Sequence, residues 1–206
     1  MNNREDYLLV LWEYVESQGH ASEKDLVERL GTTPATVSEA ISKLVEEGLV
    51  TKEGRSLRLT QKGVSSAIPL VRAHRISEVF SFKLLEIPWE DVHASVMEME
   101  HVFRGEMVES LYKNLGFPSS CPHGNPVDPA QRIQENEAGS VGNGRYRVGR
   151  VTMEKRDFLR SIADLQALPG SEVEIYVDET PILMTGSGEL KLSLLESKSF
   201  RLSQRL

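Results

Sequence analysis

Apolar side chains at Tyr7, Leu8, Leu11, Trp12 and Val15 recur every three to four positions, which predicts an amphipathic helix over residues 5–18 ending at Gly19. A second helix opens at Ser22, lines Leu26, Val27 and Leu30 along one face and stops at Gly31. Thr32-Thr33-Pro34 then supplies a cap and a first-turn proline for a third helix, which Val37, Ile41, Leu44 and Val45 carry to Gly48. Leu49 to Lys52, a turn at Glu53-Gly54-Arg55, and Ser56 to Thr60 alternate as a β-hairpin. Three short helices followed by a hairpin are the order of a winged helix-turn-helix.

Beyond Gly63 the pattern predicts a long helix through Val64, Ile68, Leu70, Val71, Ile76 and Phe80 to about Leu85, with Pro69 as a kink or early-turn residue. After Pro88 a further helix carries the stretch from His93 to His101, and Met107, Leu111 and Leu115 mark another over Glu106 to Leu115. The chain turns through Gly116-Phe117-Pro118 and Cys121-Pro122-His123-Gly124-Asn125-Pro126, then becomes polar and rich in turn residues, as a linker does. Period-two strands follow at Tyr146–Val151, Val173–Val177, Ile182–Met184, Leu190–Ser193 and Phe200–Leu202, interrupted by a helical segment near Arg156 to Leu165. The expectation is a multi-domain, mainly α chain with a small β-barrel: residues 1–63 a winged helix-turn-helix, 64–127 an all-helical domain, 128–145 a linker and 146–206 a small β domain.

Composition changes the picture in three ways. The net charge of −7, from 24 basic and 31 acidic residues, opposes nucleic-acid binding only as an average. Over residues 48–62, Lys52, Arg55, Arg58 and Lys62 against Glu53 leave four minus one, or +3, where a wing meets phosphate. The third helix offers Thr33, Pro34, Ala35, Thr36, Ser38 and Glu39 at its N-terminal end and Lys43 further on, groups suited to phosphates, thymine methyls and polar base edges. With Lys52, Arg55 and Arg58 these are the candidate DNA-binding residues, and the candidate partner is double-stranded DNA. No apolar run approaches the roughly 20 residues of a membrane span, and the polar start lacks a signal peptide's apolar core, so a cytoplasmic protein with no membrane partner is expected. A single cysteine, Cys121, excludes an internal disulfide and any cysteine-rich zinc cluster within one chain.

That leaves His, carboxylate and Met for metal chemistry. On a helix advancing roughly 100° per residue, His93, Met97, Glu100 and His101 share one face, and His74 and Glu78 stand four apart on the preceding helix. Cys121 and His123 lie among Pro122, Gly124 and Pro126 and read as a loop capping the helical domain, with no partner ligands near them in sequence. Trp12 and Trp89 read as core or interface. Two other classes fit part of the pattern: a hydrolytic enzyme on a His/Glu metal site, which lacks a second catalytic constellation here, and a metal-independent winged-helix interaction protein, which a third helix low in Lys and Arg would suit.

In order and spacing, several segments resemble the diphtheria toxin repressor family of metal-dependent transcriptional regulators, which includes iron-dependent and manganese-dependent repressors. They are Glu5-Asp6-Tyr7, Thr36-Val37-Ser38, Leu59-Thr60-Gln61-Lys62-Gly63, His74-Arg75-Ile76-Ser77-Glu78, Glu100-His101, Cys121 to Pro126 and Pro169 to Ile175. The resemblance spans nearly the whole chain. It implies a winged helix, an all-helical metal-binding dimerisation domain and a C-terminal SH3-like (FeoA-like) domain, in a homodimer that binds operator DNA when metal is bound and takes no small-molecule substrate. It also implies a regulatory metal site from Asp6, Met97, Glu100 and His101, and an ancillary site from His74, Glu78 and His93 with Glu154 and Asp157 of the last domain. Asp6 is the residue of the manganese branch. Met97 is a soft ligand that Mn²⁺ would not select. Leu9 replaces a second carboxylate of the manganese branch, and the SH3-like domain is one that branch commonly lacks. Fe²⁺ is therefore the expected ion and Mn²⁺ the alternative, with other divalent transition metals able to substitute.

Overall fold

The computed structural model describes residues 4–97, 99 and 102–206. The chain packs as two compact units, Met1–Val71 and Arg72–Leu206.

The first unit holds α1 (Arg4–Gln18), α2 (Glu23–Leu30), α3 (Pro34–Glu46), β1 (Val50–Glu53), β2 (Ser56–Leu59) and the start of α4 (Gln61–Leu84). Each boundary has a local cause. Ser22 and Asp25 form a reciprocal capping box at α2, whose last turn ends on Gly31 in the left-handed region. Thr33 accepts from the Thr36 amide and Pro34 occupies the first turn of α3. In the hairpin Thr51 faces Arg58 and Lys52 faces Leu57. Ala21 and Leu57 exchange backbone hydrogen bonds of 3.0 and 2.8 Å, which fasten the hairpin to the segment before α2. α1 is buried on more sides than an amphipathic helix would be: Tyr7, Leu8, Leu9, Val10, Leu11 and Tyr14 are all inside. It is the central helix of the unit, packing on α2, α3 and β2, so a stripe on one face would not suffice.

The second unit continues α4 and adds α5 (Val92–Val96), α6 (Glu106–Asn114), β3 (Asn136–Glu137), β4 (Gly144–Val151), α7 (Arg156–Asp164), β5 (Glu172–Val177), β6 (Pro181–Thr185), β7 (Gly188–Lys191), α8 (Leu194–Ser199) and β8 (Phe200–Arg205). Pro69 lies inside α4 without ending it. The strands make one antiparallel sheet ordered β3-β8-β4-β5-β6-β7. This is the SH3-like element, in the form of a sheet with β3 and β7 at its edges among the described residues rather than a continuously paired barrel. Tyr146, Val148, Val151, Val173, Ile175, Leu183, Phe200 and Leu202 form its core with Phe158, Leu159 and Ile162 of α7 and with Trp89.

Three expectations change. Part of the supposed linker belongs to the sheet: Asn136 pairs with Leu202 and Glu137 with Arg201. Its acids pair with strand arginines, with Arg150 donating to Glu135 at 2.7 to 3.0 Å and Arg201 to Glu137 at 3.2 Å, so its polar composition reflects ion pairing. The helix expected to carry His93 through His101 ends at Val96 with Met97 as its cap. Asp91 makes no side-chain cap for α5 and instead accepts from Arg156 Nε at 2.5 Å. Glu98, Glu100 and His101 lie outside the described residues. The third change is α8, which was not expected; Ser193 and Glu196 cap it reciprocally.

Candidate metal centre

Four segments of the second unit deliver metal-binding side chains to one buried place. α4 provides His74 and Glu78 one turn apart, α5 provides His93, the turn from Cys121 to Pro126 provides Cys121 and His123, and the loop after β4 provides Glu154. All six are buried. His74 Nε2 lies 3.0 Å from His93 Nδ1 and 3.3 Å from Glu78 Oε1. His93 Nδ1 lies 3.2 Å from Glu78 Oε1 and in direct contact with Glu154 Oε2. His123 Nδ1 approaches the same two oxygens, Glu78 Oε1 at 3.4 Å and Glu154 Oε2 at 3.5 Å.

The surroundings fix these donors. His123 Nε2 sits 3.0 Å from the Trp89 carbonyl, which can only accept, so Nε2 carries a proton and Nδ1 faces the carboxylates. The Trp89 indole donates to the Pro122 carbonyl at 2.8 Å and its ring meets the His123 ring edge-on at 4.7 Å, holding the turn from two sides. Gly124 lies at φ +86°, and a Cβ there would come 2.4 Å from the Gly149 carbonyl oxygen, so only glycine lets the turn lie against β4. Asn125 donates to Glu154 Oε1 at 2.6 Å and to the Val151 carbonyl at 2.9 Å, while its own oxygen accepts from Arg150 at 3.3 Å. With Arg150 held by Glu135, this chain leaves Glu154 Oε2 for the cluster.

The electrostatics call for a cation. Burial alone would raise the Glu78 carboxyl, but His123, His74 and His93 outweigh it and hold Glu78 well below the usual range. Burial works against a charge on His123, yet Glu154 and Glu78 lift it to about 9. Burial, reinforced by the same carboxylates, pushes the Cys121 thiol well up. Glu78 Oε2 and His123 Nδ1 are buried without a hydrogen-bond partner. Two buried carboxylates thus share one compensating imidazole, and a divalent ion fits a donor set of imidazoles, carboxylates and a thiol in which ligand atoms of His74, Glu78, His93 and Glu154 lie within 4.8 Å of one another.

Of the ancillary set expected from the sequence, the structure brings together His74, Glu78, His93 and Glu154 but not Asp157. Asp157 is exposed in the first turn of α7, because Phe158, Leu159 and Ile162 turn the opposite side of that helix into the core. Cys121 and His123, which have no partner ligands near them in sequence, lie in space beside Glu78 and Glu154. A Cys and a His one residue apart in a turn braced by Pro122, Gly124 and Pro126 was the available signal. Of the regulatory set, Asp6 is part-buried in the first turn of α1, Met97 caps α5, and Glu100 and His101 are not described.

On the first unit, Thr33, Pro34, Ala35, Thr36, Ser38, Glu39 and Lys43 of α3 and Lys52, Arg55 and Arg58 of the hairpin are all exposed. Lys43 is tied to Glu39 at 2.7 Å and Lys52 to Glu23 at 2.6 Å.

Residues 1–56 match the family described as iron dependent repressor, N-terminal DNA binding domain, and residues 60–129 match iron dependent repressor, metal binding and dimerisation domain. The chain belongs to the iron-dependent repressor family. The iron-dependent repressor IdeR of Mycobacterium tuberculosis (strain ATCC 25618 / H37Rv) is 34% identical over 128 residues, 62% of this chain and 56% of that protein. The chain thus spans little more than half the length of that curated relative. Among solved structures, T. acidophilum IdeR is similar over 98% of both chains at 25% identity, with a TM-score of 0.89. A manganese-dependent transcriptional repressor in complex with manganese is similar over 98% of this chain and 99% of its own, at 27% identity and a TM-score of 0.81. Among the described residues, no helix is long and apolar enough to cross a membrane.

Proposed function

We propose that this chain is a divalent-metal-dependent transcriptional repressor that binds operator DNA as a homodimer when its metal sites are filled. The observation that carries the reading is the buried meeting of His74, Glu78, His93 and Glu154 in a chain whose first unit is a winged helix with an exposed α3. Repressors, not enzymes, make up the family.

His74, Glu78, His93 and Glu154 would hold the ancillary ion, and Asp6, Met97, Glu100 and His101 the regulatory one. A bound cation supplies the positive charge that lets buried carboxylates coexist without protons and cross-links the segments that carry them. The chain's own residues prepare that role. Asn125 aims Glu154, Trp89 sets the His123 tautomer, and the hairpin presents Arg55 and Arg58 to phosphate. Fe²⁺ is the proposed activator, supported by the thioether of Met97 in the regulatory set and by iron-dependent repressors among the relatives. Mn²⁺ is the second reading, favoured by Asp6 and by the manganese-dependent structural neighbour.

The test is an anaerobic gel mobility shift on DNA upstream of the protein's own coding sequence, with Fe²⁺, Mn²⁺, Zn²⁺ or chelator. A shift that requires metal and is strongest with Fe²⁺ supports the proposal; a shift unchanged by chelator contradicts it.

A further inference from the structure

The six donors of the buried cluster do not form one coordination set. They form two: His74, Glu78, His93 and Glu154, and Glu78, Cys121, His123 and Glu154, each with ligand atoms within 4.8 Å of one another. Bonds of roughly 2.0 to 2.3 Å limit donors on one ion to about 4.6 Å apart even when they are trans. A single ion therefore cannot engage both sets as they stand. Both sets contain Glu78 and Glu154, and both carboxylates have the capacity to serve twice. Glu78 Oε1 lies 3.2 to 3.4 Å from His74, His93 and His123, between the two sets, while Oε2 is buried with no hydrogen-bond partner. Glu154 gives Oε1 to Asn125 and directs Oε2 toward both His93 and His123.

We propose that the cluster is a binuclear centre in which Glu78 and Glu154 bridge one ion bound by His74 and His93 to a second bound by Cys121 and His123. The inference rests on the metal-site reading above and extends it with a second, chemically different position. His123 Nδ1, buried and facing Glu78 Oε1 at 3.4 Å and Glu154 Oε2 at 3.5 Å, marks that position from a segment that contributes nothing to the first set. The two positions differ in softness. Two imidazoles and two carboxylates suit Fe²⁺ or Mn²⁺, whereas a thiolate and an imidazole with the same carboxylates draw Zn²⁺, Co²⁺ or Fe²⁺ more strongly than Mn²⁺. Filling the second position requires loss of the thiol proton of Cys121 to solvent. Carboxylate-bridged ions of this kind stand about 3.5 to 4 Å apart, close enough for magnetic coupling.

The experiment uses the full chain carrying Glu100→Ala and His101→Ala, which removes the regulatory ion from the count, dialysed anaerobically against Co²⁺. Bound metal is counted by plasma mass spectrometry, thiolate ligation is read from near-ultraviolet charge-transfer absorption, and coupling from low-temperature paramagnetic resonance. The expected result is two ions per chain, a thiolate band and a coupled signal. Adding Cys121→Ser should lower the count to one, remove the band and restore an uncoupled signal. The unsubstituted chain, with one further ion, should show the same band and coupling, which keeps the outcome readable if a variant fails to fold. One uncoupled ion in the Glu100→Ala/His101→Ala chain, with or without the band, overturns the binuclear centre and leaves the metal-site reading standing. No bound ion overturns both.

Discussion

His123 donates its Nε2 proton to the Trp89 carbonyl at 3.0 Å, and that single bond decides that Nδ1 is the nitrogen facing Glu78 and Glu154. Without a metal, a protonated His123 is the counter-charge of two buried carboxylates. Its pKa rises from the ordinary 6.5 to about 9. A group raised on folding contributes stability that is fully present below its unfolded value and is lost as pH rises through the folded one. Metal-free protein should therefore be less resistant to urea at pH 9.5 than at pH 6.5, and His123→Gln should flatten that part of the profile. Equal unfolding midpoints at the two pH values in the unsubstituted protein would contradict this assignment.

Asn125 is satisfied on every side, by Glu154, Val151 and Arg150. Asn125→Ala frees Glu154 to rotate, and loss of such an outer partner weakens metal affinity by roughly 10- to 100-fold. Calorimetric titration with Mn²⁺ measures it. The same titration on Arg150→Met should show a smaller loss in the same direction, because Arg150 acts on Glu154 only through Asn125.

At Gly124 an alanine would adopt φ near +86° with its Cβ against the Gly149 carbonyl. Backbone strain of this kind costs on the order of 1–3 kcal/mol, and the clash adds to it. Gly124→Ala should lower the thermal midpoint and weaken metal binding together, since it displaces both Cys121 and His123. A variant with unaltered melting would show that the turn is not held against β4.

In the hairpin, Arg55 has no ion-pair partner among the described residues, whereas Lys52 is bound to Glu23 at 2.6 Å. Arg55→Ala should reduce DNA affinity at every sequence and lower the salt slope by about 1. Lys52→Ala should have a smaller effect, because its charge is already compensated. Fluorescence anisotropy at several salt concentrations separates them, and an unchanged slope for Arg55→Ala would place that residue off the DNA.

The helices of the first unit were legible because each boundary is written locally: Ser22 with Asp25, Gly31, Thr33 with Pro34. The cap at Ser193 and Glu196 is equally local, but the helix it starts is only Leu194–Ser199 and lies among strands, too short to show a helical period. Two of the six donors of the buried cluster were visible for the same reason, as His74 and Glu78 are one helical turn apart. Glu154 came through family resemblance, and Cys121 and His123 stayed hidden because their partners are joined only by tertiary packing. The segment around Glu135 and Glu137 was polar enough to read as a linker. Nothing in sequence showed that Glu135 would pair with Arg150 away from solvent or that Glu137 would pair with Arg201.

The central claim is that the buried cluster holds divalent metal. The most direct measurement is anomalous diffraction, at the manganese edge, from crystals of the full chain grown with Mn²⁺. The account predicts an anomalous peak within bonding distance of Glu78 and Glu154, with His74 and His93 as its nitrogen ligands. A well-ordered cluster with no anomalous density between those side chains would contradict it.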